Sequence, residues 1–215
     1  MASHPGKCAL CGAQITTSSA TRHLRKCVPD HDPKNGAATK LLELRVQSPE
    51  LPFYWLQVQM KSTASLATLD TFLRKTWLEC CGHLSQFTVN RTLYQSSVDR
   101  TWDYEDARSM ACKAEQIFTG VGTKVTYEYD FGSTTSLEIK LVGEREAPAG
   151  RQAVRLLARN DPPAWACECG DPATRICTCC GQEVCDLHRE THECGEEMLL
   201  PIVNSPRTGV CGYVG

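Results

Sequence analysis

The sequence has no run of apolar residues approaching the roughly eighteen that a membrane helix needs. Its opening residues, Met-Ala-Ser-His-Pro-Gly-Lys-Cys, hold no apolar stretch of the kind that starts a secretory leader. Together these absences predict a cytoplasmic chain with no membrane partner and with reduced thiols. Gly-x-Ser-x-Gly, P-loop and dinucleotide fingerprints are missing. So are internal repeats and low-complexity tracts. Net charge is small, -2 over 215 residues.

That average hides an asymmetry. Residues 1–40 carry six Lys/Arg against two Asp, and residues 161–215 carry three Arg against nine acids. The intervening segment is balanced. The chain therefore has a basic head and an acidic tail.

Cysteine is abundant, at 14 residues. Three (Cys8, Cys11 and Cys27) lie near the start. Seven (Cys167, Cys169, Cys177, Cys179, Cys180, Cys185 and Cys194) lie near the end. Cys80, Cys81, Cys112 and Cys211 fall outside both groups. Short Cys/His intervals in a reduced compartment point to metal binding rather than to a disulfide framework.

Breaker-rich residues 29–40 read as a linker, and Asn160-Asp161-Pro162-Pro163 as a second boundary. The expected organisation is a small module at 5–28, a folded domain at 41–158 and a Cys/His-rich module at 164–215. The fold class expected is α+β, with a central domain of helices and antiparallel sheet flanked by two zinc-stabilised modules. Leu42, Leu44 and Val46 alternate with polar residues, and Tyr54, Leu56, Val58 and Met60 recur at every second position. Both patterns predict strands. Leu66, Leu69, Phe72, Leu73 and Trp77 recur at helical spacing, and Met110, Ala114, Ile117 and Phe118 suggest a second helix. Val125, Tyr127, Tyr129 and Phe131 alternate most strongly. After Gly132-Ser133 the alternation resumes at Leu137, Ile139 and Leu141, which predicts an antiparallel hairpin.

The first cluster reads Cys8-x2-Cys11-x11-His23-x3-Cys27. A tight Cys-x2-Cys turn presents two thiolates to one ion, and residues four apart share a helix face. Four such ligands suit tetrahedral zinc. So short a segment buries too little to fold alone, and zinc binding, at roughly 10–16 kcal/mol, would dominate its stability. The segment resembles the ββα zinc fingers in a Cys-Cys-His-Cys variant, with Ile15 and Ala20 in the places of the family's larger core residues. His31 is an alternative to Cys27. Arg22, Arg25 and Lys26 form a basic helix face that is either a solvated surface or a phosphate-contacting one.

The second cluster offers eight ligands, enough for two ions, so three zinc ions are expected in all. Its order resembles the cross-braced HIT, MYND and B-box fingers. That resemblance implies Cys167, Cys169, Cys185 and His188 on one ion, and Cys177, Cys180, His192 and Cys194 on the other. Other wirings stay open. Cys179 competes with Cys180. A continuous helix would direct His188 and His192 to one ion. Cys211, in a knuckle-like turn, offers a further thiolate. Sites saturated by protein ligands are structural rather than catalytic.

Residues 41 to about 145 resemble the plasmid pRiA4b ORF-3-like family. The carrying residues are Trp55, the Leu66–Leu73 helix with Trp77 near its end, Gly82-His83-Leu84-Ser85-Gln86-Phe87, and Tyr127-Glu128-Tyr129-Asp130-Phe131-Gly132. The resemblance implies a compact α+β domain and a link to transposon-borne proteins, with no established activity. After Gly132 the sequence departs from the family's acid, tryptophan and histidine. Asp130 reads as a hairpin turn residue, and His83 as a structural residue.

The function expected is that of an interaction or regulatory protein with structural zinc, binding nucleic acid or protein. The alternative is an enzyme with its site in the central domain. Within that alternative, Cys80-Cys81 beside His83 is a candidate thiol nucleophile and base.

Overall fold

A computed structural model describes residues 3–97 and 107–215. It divides into two units, one comprising residues up to Leu73 together with Leu84–Asp161, the other Arg74–His83 with Pro162–Gly215. The fold is sheet-rich with few helices, and the large sheet is mixed.

The first unit is built on ten strands: β1 (Pro5–Cys8), β2 (Gln14–Thr16), β3 (Ala38–Gln47), β4 (Trp55–Lys61), β5 (Ser85–Val89), β6 (Thr92–Gln95), β7 (Arg108–Ser109), β8 (Lys124–Tyr129), β9 (Thr135–Pro148) and β10 (Val154–Asn160). Their order is β2-β1-β10-β4-β3-β9-β8-β5-β6-β7. Every neighbouring pair is antiparallel except β6 and β7. The alternation at 125–141 becomes the β8–β9 hairpin, with Val125 opposite Ile139 and Tyr127 opposite Leu137. Asp130 occupies its turn at φ 65, and its Oδ1 accepts the Gly132 N–H at 3.0 Å.

Three sequence expectations are revised by tertiary contacts. The N-terminal segment shares the large sheet, because β1 pairs with β10 through Gly6 opposite Asn160 and Cys8 opposite Ala158. The stretch read as a linker contributes its last residues to β3. The helix suggested by Met110–Phe118 is a single turn, α3 (Ala114–Ile117). Its upstream backbone caps another helix instead. Cys112 O accepts the Leu66 N–H at 3.1 Å and Met110 O accepts the Ala67 N–H at 3.0 Å, at the start of α2 (Leu66–Leu73). Those are orphan donors of a helix N-terminus, and partnering them holds 110–112 out of helical conformation.

The remaining helix, α1 (Ala20–Asp30), buries Ala20, Leu24 and Val28 at four-residue spacing. That stripe packs with Cys8, Ile15, Trp55, Leu157 and Ala158. Trp55 and its neighbours therefore bury the face of β4 that sequence alternation leaves unassigned, and all of Trp55–Met60 is buried.

The second unit holds a π-helical turn, Arg74–Leu78, closed by a Glu79 N–H to Arg74 O bond of 2.9 Å. A small antiparallel sheet follows in the order β12-β11-β13, from β11 (Arg175–Cys177), β12 (Glu183–Val184) and β13 (Leu199–Pro201). Its core is slight: Cys177, Val184 and Leu199, with Cys194 and Met198 against them. Among the described residues no helix is long and apolar enough to cross a membrane.

Candidate metal centres

None of the fourteen cysteines is in a disulfide. Twelve of them, with four histidines, fall into four sets whose ligand atoms lie within 4.8 Å of one another: Cys8, Cys11, His23, Cys27; Cys80, Cys81, His83, Cys211; Cys167, Cys169, Cys185, His188; and Cys177, Cys180, His192, Cys194. These four clusters are compatible with metal binding.

Three sets start from the same backbone device. Cys8 N donates to Ala13 O at 2.9 Å, and Gly12 N donates back to Cys8 O at 3.0 Å. Cys167 pairs likewise with Asp171 O (2.9 Å) and Gly170 N (2.8 Å), and Cys177 with Gln182 O and Gly181 N, both at 2.9 Å. Each is a tight knuckle at a strand end or turn, closed by a glycine at positive φ. L-residues with a side chain rarely take that conformation, which is why glycine follows the second cysteine.

The separations match the ion that such ligands prefer. A tetrahedron with zinc–sulfur bonds of about 2.3 Å and zinc–nitrogen bonds of about 2.0–2.1 Å has edges of about 3.8 Å between sulfurs and about 3.6 Å between sulfur and nitrogen. In the first set Cys8 and Cys27 sulfurs are 3.9 Å apart, and Cys11 Sγ is 3.4 Å from His23 Nε2. The Cys169–Cys185 sulfurs are 3.8 Å apart, and Cys167 Sγ is 3.6 Å from His188 Nδ1. Cys180 Sγ is 3.6 Å from His192 Nε2.

Electrostatics within a set oppose full ionisation without a cation. Backbone N–H groups of Cys169 and Cys185 bring the Cys167 thiol down to about 6. The neighbouring Cys180 thiol, then burial, pushes Cys194 up to about 12. Burial, then the Cys11 and Cys8 thiols, pushes Cys27 up to about 12. Beside Cys167, the Cys169 thiol is pushed up to about 11, the lowering hydrogen bond from the Asp171 backbone being outweighed by burial and by the Cys167 and Cys185 thiols, so one thiolate of the set forms readily and its neighbour resists. A bound dication would remove that conflict.

The alternatives left open by the sequence are placed as follows. His31 Nδ1 lies 2.9 Å from the carbonyl oxygen of Cys27 and 3.7 Å from its sulfur, outside the converging set. Cys179 is exposed and gives its backbone N–H to Cys177 Sγ, at 3.4 Å; its thiol lies beside that of Cys194 but outside the converging set. Cys211 joins neither set of the C-terminal segment. It meets Cys80, Cys81 and His83, a set that sequence spacing does not reveal. One signal was available: Cys81 and Cys211 are each followed by glycine, as are Cys11, Cys169, Cys180 and Cys194.

Arg22, Arg25 and Lys26 are all exposed on α1. Elsewhere in the first unit, a cleft of about 330 Å³ is lined by His31, Asp32, Lys61, Arg151, Gln152 and Arg155 among others. Asp32, the one acid there, accepts a forked pair of hydrogen bonds from Arg145 at 2.6 and 2.5 Å.

A family model described as plasmid pRiA4b ORF-3-like protein matches residues 41–173, more than half of the chain. No curated protein matches the sequence. Among solved structures, the chain is similar to the crystal structure of MM3350, a protein of unknown function from Methanosarcina mazei Go1. Identity is 16% and the TM-score 0.47, over 59% of this chain and 72% of that one.

Proposed function

The chain belongs to the plasmid pRiA4b ORF-3-like family, and from that premise we propose that it is a zinc-organised interaction protein linked to mobile elements, whose basic helix α1 contacts nucleic acid. The observation that carries the structural role of zinc is saturation. Each set supplies four protein ligands, whereas a catalytic zinc keeps a position for water. The metal then fixes surfaces rather than activating a substrate.

The face offered to nucleic acid is Arg22, Arg25 and Lys26. Ala20, Leu24 and Val28 anchor the opposite stripe of α1 in the core cluster, so the basic residues are held outward on a fixed support. Three cations on one helix supply mainly phosphate contacts, and such binding weakens with salt. The test is titration of duplex and single-stranded nucleic acid by zinc-loaded protein at several salt concentrations. The reading expects a salt-dependent affinity that falls at least tenfold in R22A/R25A. An affinity unchanged by those substitutions would remove nucleic acid from the proposal and leave a protein partner.

The second reading, an enzyme, draws on the 330 Å³ cleft in the first unit. Its basic lining fits an anionic small molecule. Its single acid is already engaged by Arg145, which ranks this reading below the first. Saturable binding of small anions, lost in R151A/R155A, would reverse that order.

A further inference from the structure

We propose that Cys80, Cys81, His83 and Cys211 form a fourth zinc site, which ties the loop after the π-helical turn to the C-terminal segment and exchanges metal more readily than the other three. The proposal rests on the reading of the other sets as zinc sites, and adds a ligand set that neither cluster of the sequence contains.

Convergence is the first argument. Cys211 lies 128 residues beyond His83, yet its sulfur is 3.2 Å from His83 Nε2 and 3.8 Å from Cys81 Sγ. Cys80 Sγ is 3.4 Å from Cys81 Sγ, and Cys81 Sγ is 2.9 Å from His83 Nε2. The sulfur pair 81–211 already has the edge length of a zinc tetrahedron. The shorter separations widen by about 0.4–0.7 Å to reach zinc edge lengths, a movement that the exposed side chains of Cys81 and Cys211 can make.

The backbone is the second. Gly82 and Gly212 follow Cys81 and Cys211 at φ 79 and 68. Every cysteine of this chain that precedes a glycine belongs to one of the four sets, and all six of those glycines have positive φ. A Cβ at Gly82 would meet nothing, so glycine is there for the turn and not for space. The fourth set shares this Cys-Gly step at positive φ with the other three, while its Gly82 N–H goes to Glu79 Oε1 instead of to a cysteine carbonyl.

The third is a built surrounding. Arg74 Nη1 pairs with Glu79 at 2.9 Å and its Nη2 donates to His83 O at 2.7 Å, while Gly82 N donates to Glu79 Oε1 at 2.7 Å. These bonds fold the loop into a ligand-presenting shape before any ion arrives. From the other segment, Ser205 Oγ donates to Trp77 O, and Arg207 N donates to Ser205 Oγ at 2.9 Å. Arg207 is fully buried and its Nη2 donates to Cys80 Sγ at 3.5 Å. A metal-bound thiolate at Cys80 would strengthen that hydrogen bond, and a hydrogen bond to the ligating sulfur is a usual outer contact of such sites.

Exposure sets the site apart. Each of the other sets has at least one buried cysteine, whereas here Cys81 and Cys211 are exposed and Cys80 is half-buried. Chelators therefore reach this ion first.

The experiment is elemental analysis of the full-length zinc-loaded chain, paired with thiol alkylation mapped by mass spectrometry. Wild-type protein is expected to hold four zinc ions, and Cys211→Ser three. In the zinc-loaded wild type Cys80, Cys81 and Cys211 should resist alkylation while exposed Cys179, outside every set, is modified promptly. Under a chelator challenge those three should become reactive before the cysteines of the other sets. Three ions in the wild type, with prompt labelling of Cys81 and Cys211, would overturn the fourth site and leave the others standing. Rapid selective alkylation of Cys81 alone would make it a thiol–imidazole pair instead. No bound zinc at all would overturn the reading on which the proposal rests. The wild-type mapping decides the matter even if the variant does not fold.

Discussion

His188 and His192 stand four residues apart and face different ligand sets. His188 Nδ1 lies 3.3 Å from Cys185 Sγ, and His192 Nε2 lies 3.6 Å from Cys180 Sγ. The segment carrying them is a run of turns and not a helix. Had it been helical, the four-residue spacing would have put both on one face.

This separation predicts two distinct losses. His188→Ala should release one zinc and expose Cys167, Cys169 and Cys185 to alkylation. His192→Ala should release one and expose Cys177, Cys180 and Cys194. Zinc analysis with peptide-level alkylation mapping checks both. If either variant unprotected both groups equally, the two sets would be one coupled centre.

Metal removal should act unequally on the two units. The small sheet of the second unit has a core cluster of Cys177, Val184 and Leu199 with Cys194 and Met198 against them, and three of the four sets lie in that unit. Domains with so little burial depend on metal for their folding free energy. After chelation, amide exchange should become fast throughout 162–215. Amides of β3, β4 and β9 should stay protected, because Leu42, Leu44, Val46, Val58 and Ile139 are fully buried there.

Leu24→Ala tests how firmly α1 is anchored. Leu24 is 3% exposed and packs in the cluster with Trp55 and Leu157. Removing a buried leucine side chain typically costs about 2–5 kcal/mol. Urea unfolding of the zinc-loaded protein should show a loss in that range. A loss below about 1 kcal/mol would mean that the zinc ligands alone, and not the apolar stripe, hold the helix.

Glu43 gives a pH-dependence whose sign can be worked out. Burial raises its carboxyl above the ordinary 4.5, against the opposing pull of Arg145 and Arg25. A raised folded-state value means that the fold favours the protonated form. The contribution is complete below the ordinary value and is lost as pH rises through the elevated one. Glu43→Gln should therefore flatten the stability profile above about pH 4.5 and leave the protein at least as stable as wild type at neutral pH. Arg145 keeps Asp32 as its partner in the variant. A variant clearly less stable at pH 7 would show that the Arg145 pairing outweighs the cost of burial.

Much of the central sheet was legible because local alternation is a direct consequence of the pleat. Val125–Tyr129 and Leu137–Leu141 needed only that period and the intervening turn to declare a hairpin. The convergence of Cys8, Cys11, His23 and Cys27 was legible for a similar reason, since short spacings limit which side chains can meet. β4 was only half legible. The alternation of Tyr54, Leu56, Val58 and Met60 marks one face, but the burial of Trp55, Gln57 and Gln59 depends on what covers the other.

The sequence by itself therefore determined the strand patterns around Leu42–Val46, Leu56–Met60, Val125–Tyr129 and Leu137–Leu141, the tight turn of Cys8 and Cys11, and which residues have metal-binding chemistry, because these are set within a few residues by backbone geometry and ligand type. Only the tertiary structure decided that β1 joins the large sheet beside β10, that His188 and His192 part company, and that Cys211 meets Cys80, Cys81 and His83. Those juxtapositions depend on long loops being closed by burial and hydrogen bonding elsewhere in the fold, and no local pattern encodes the closure.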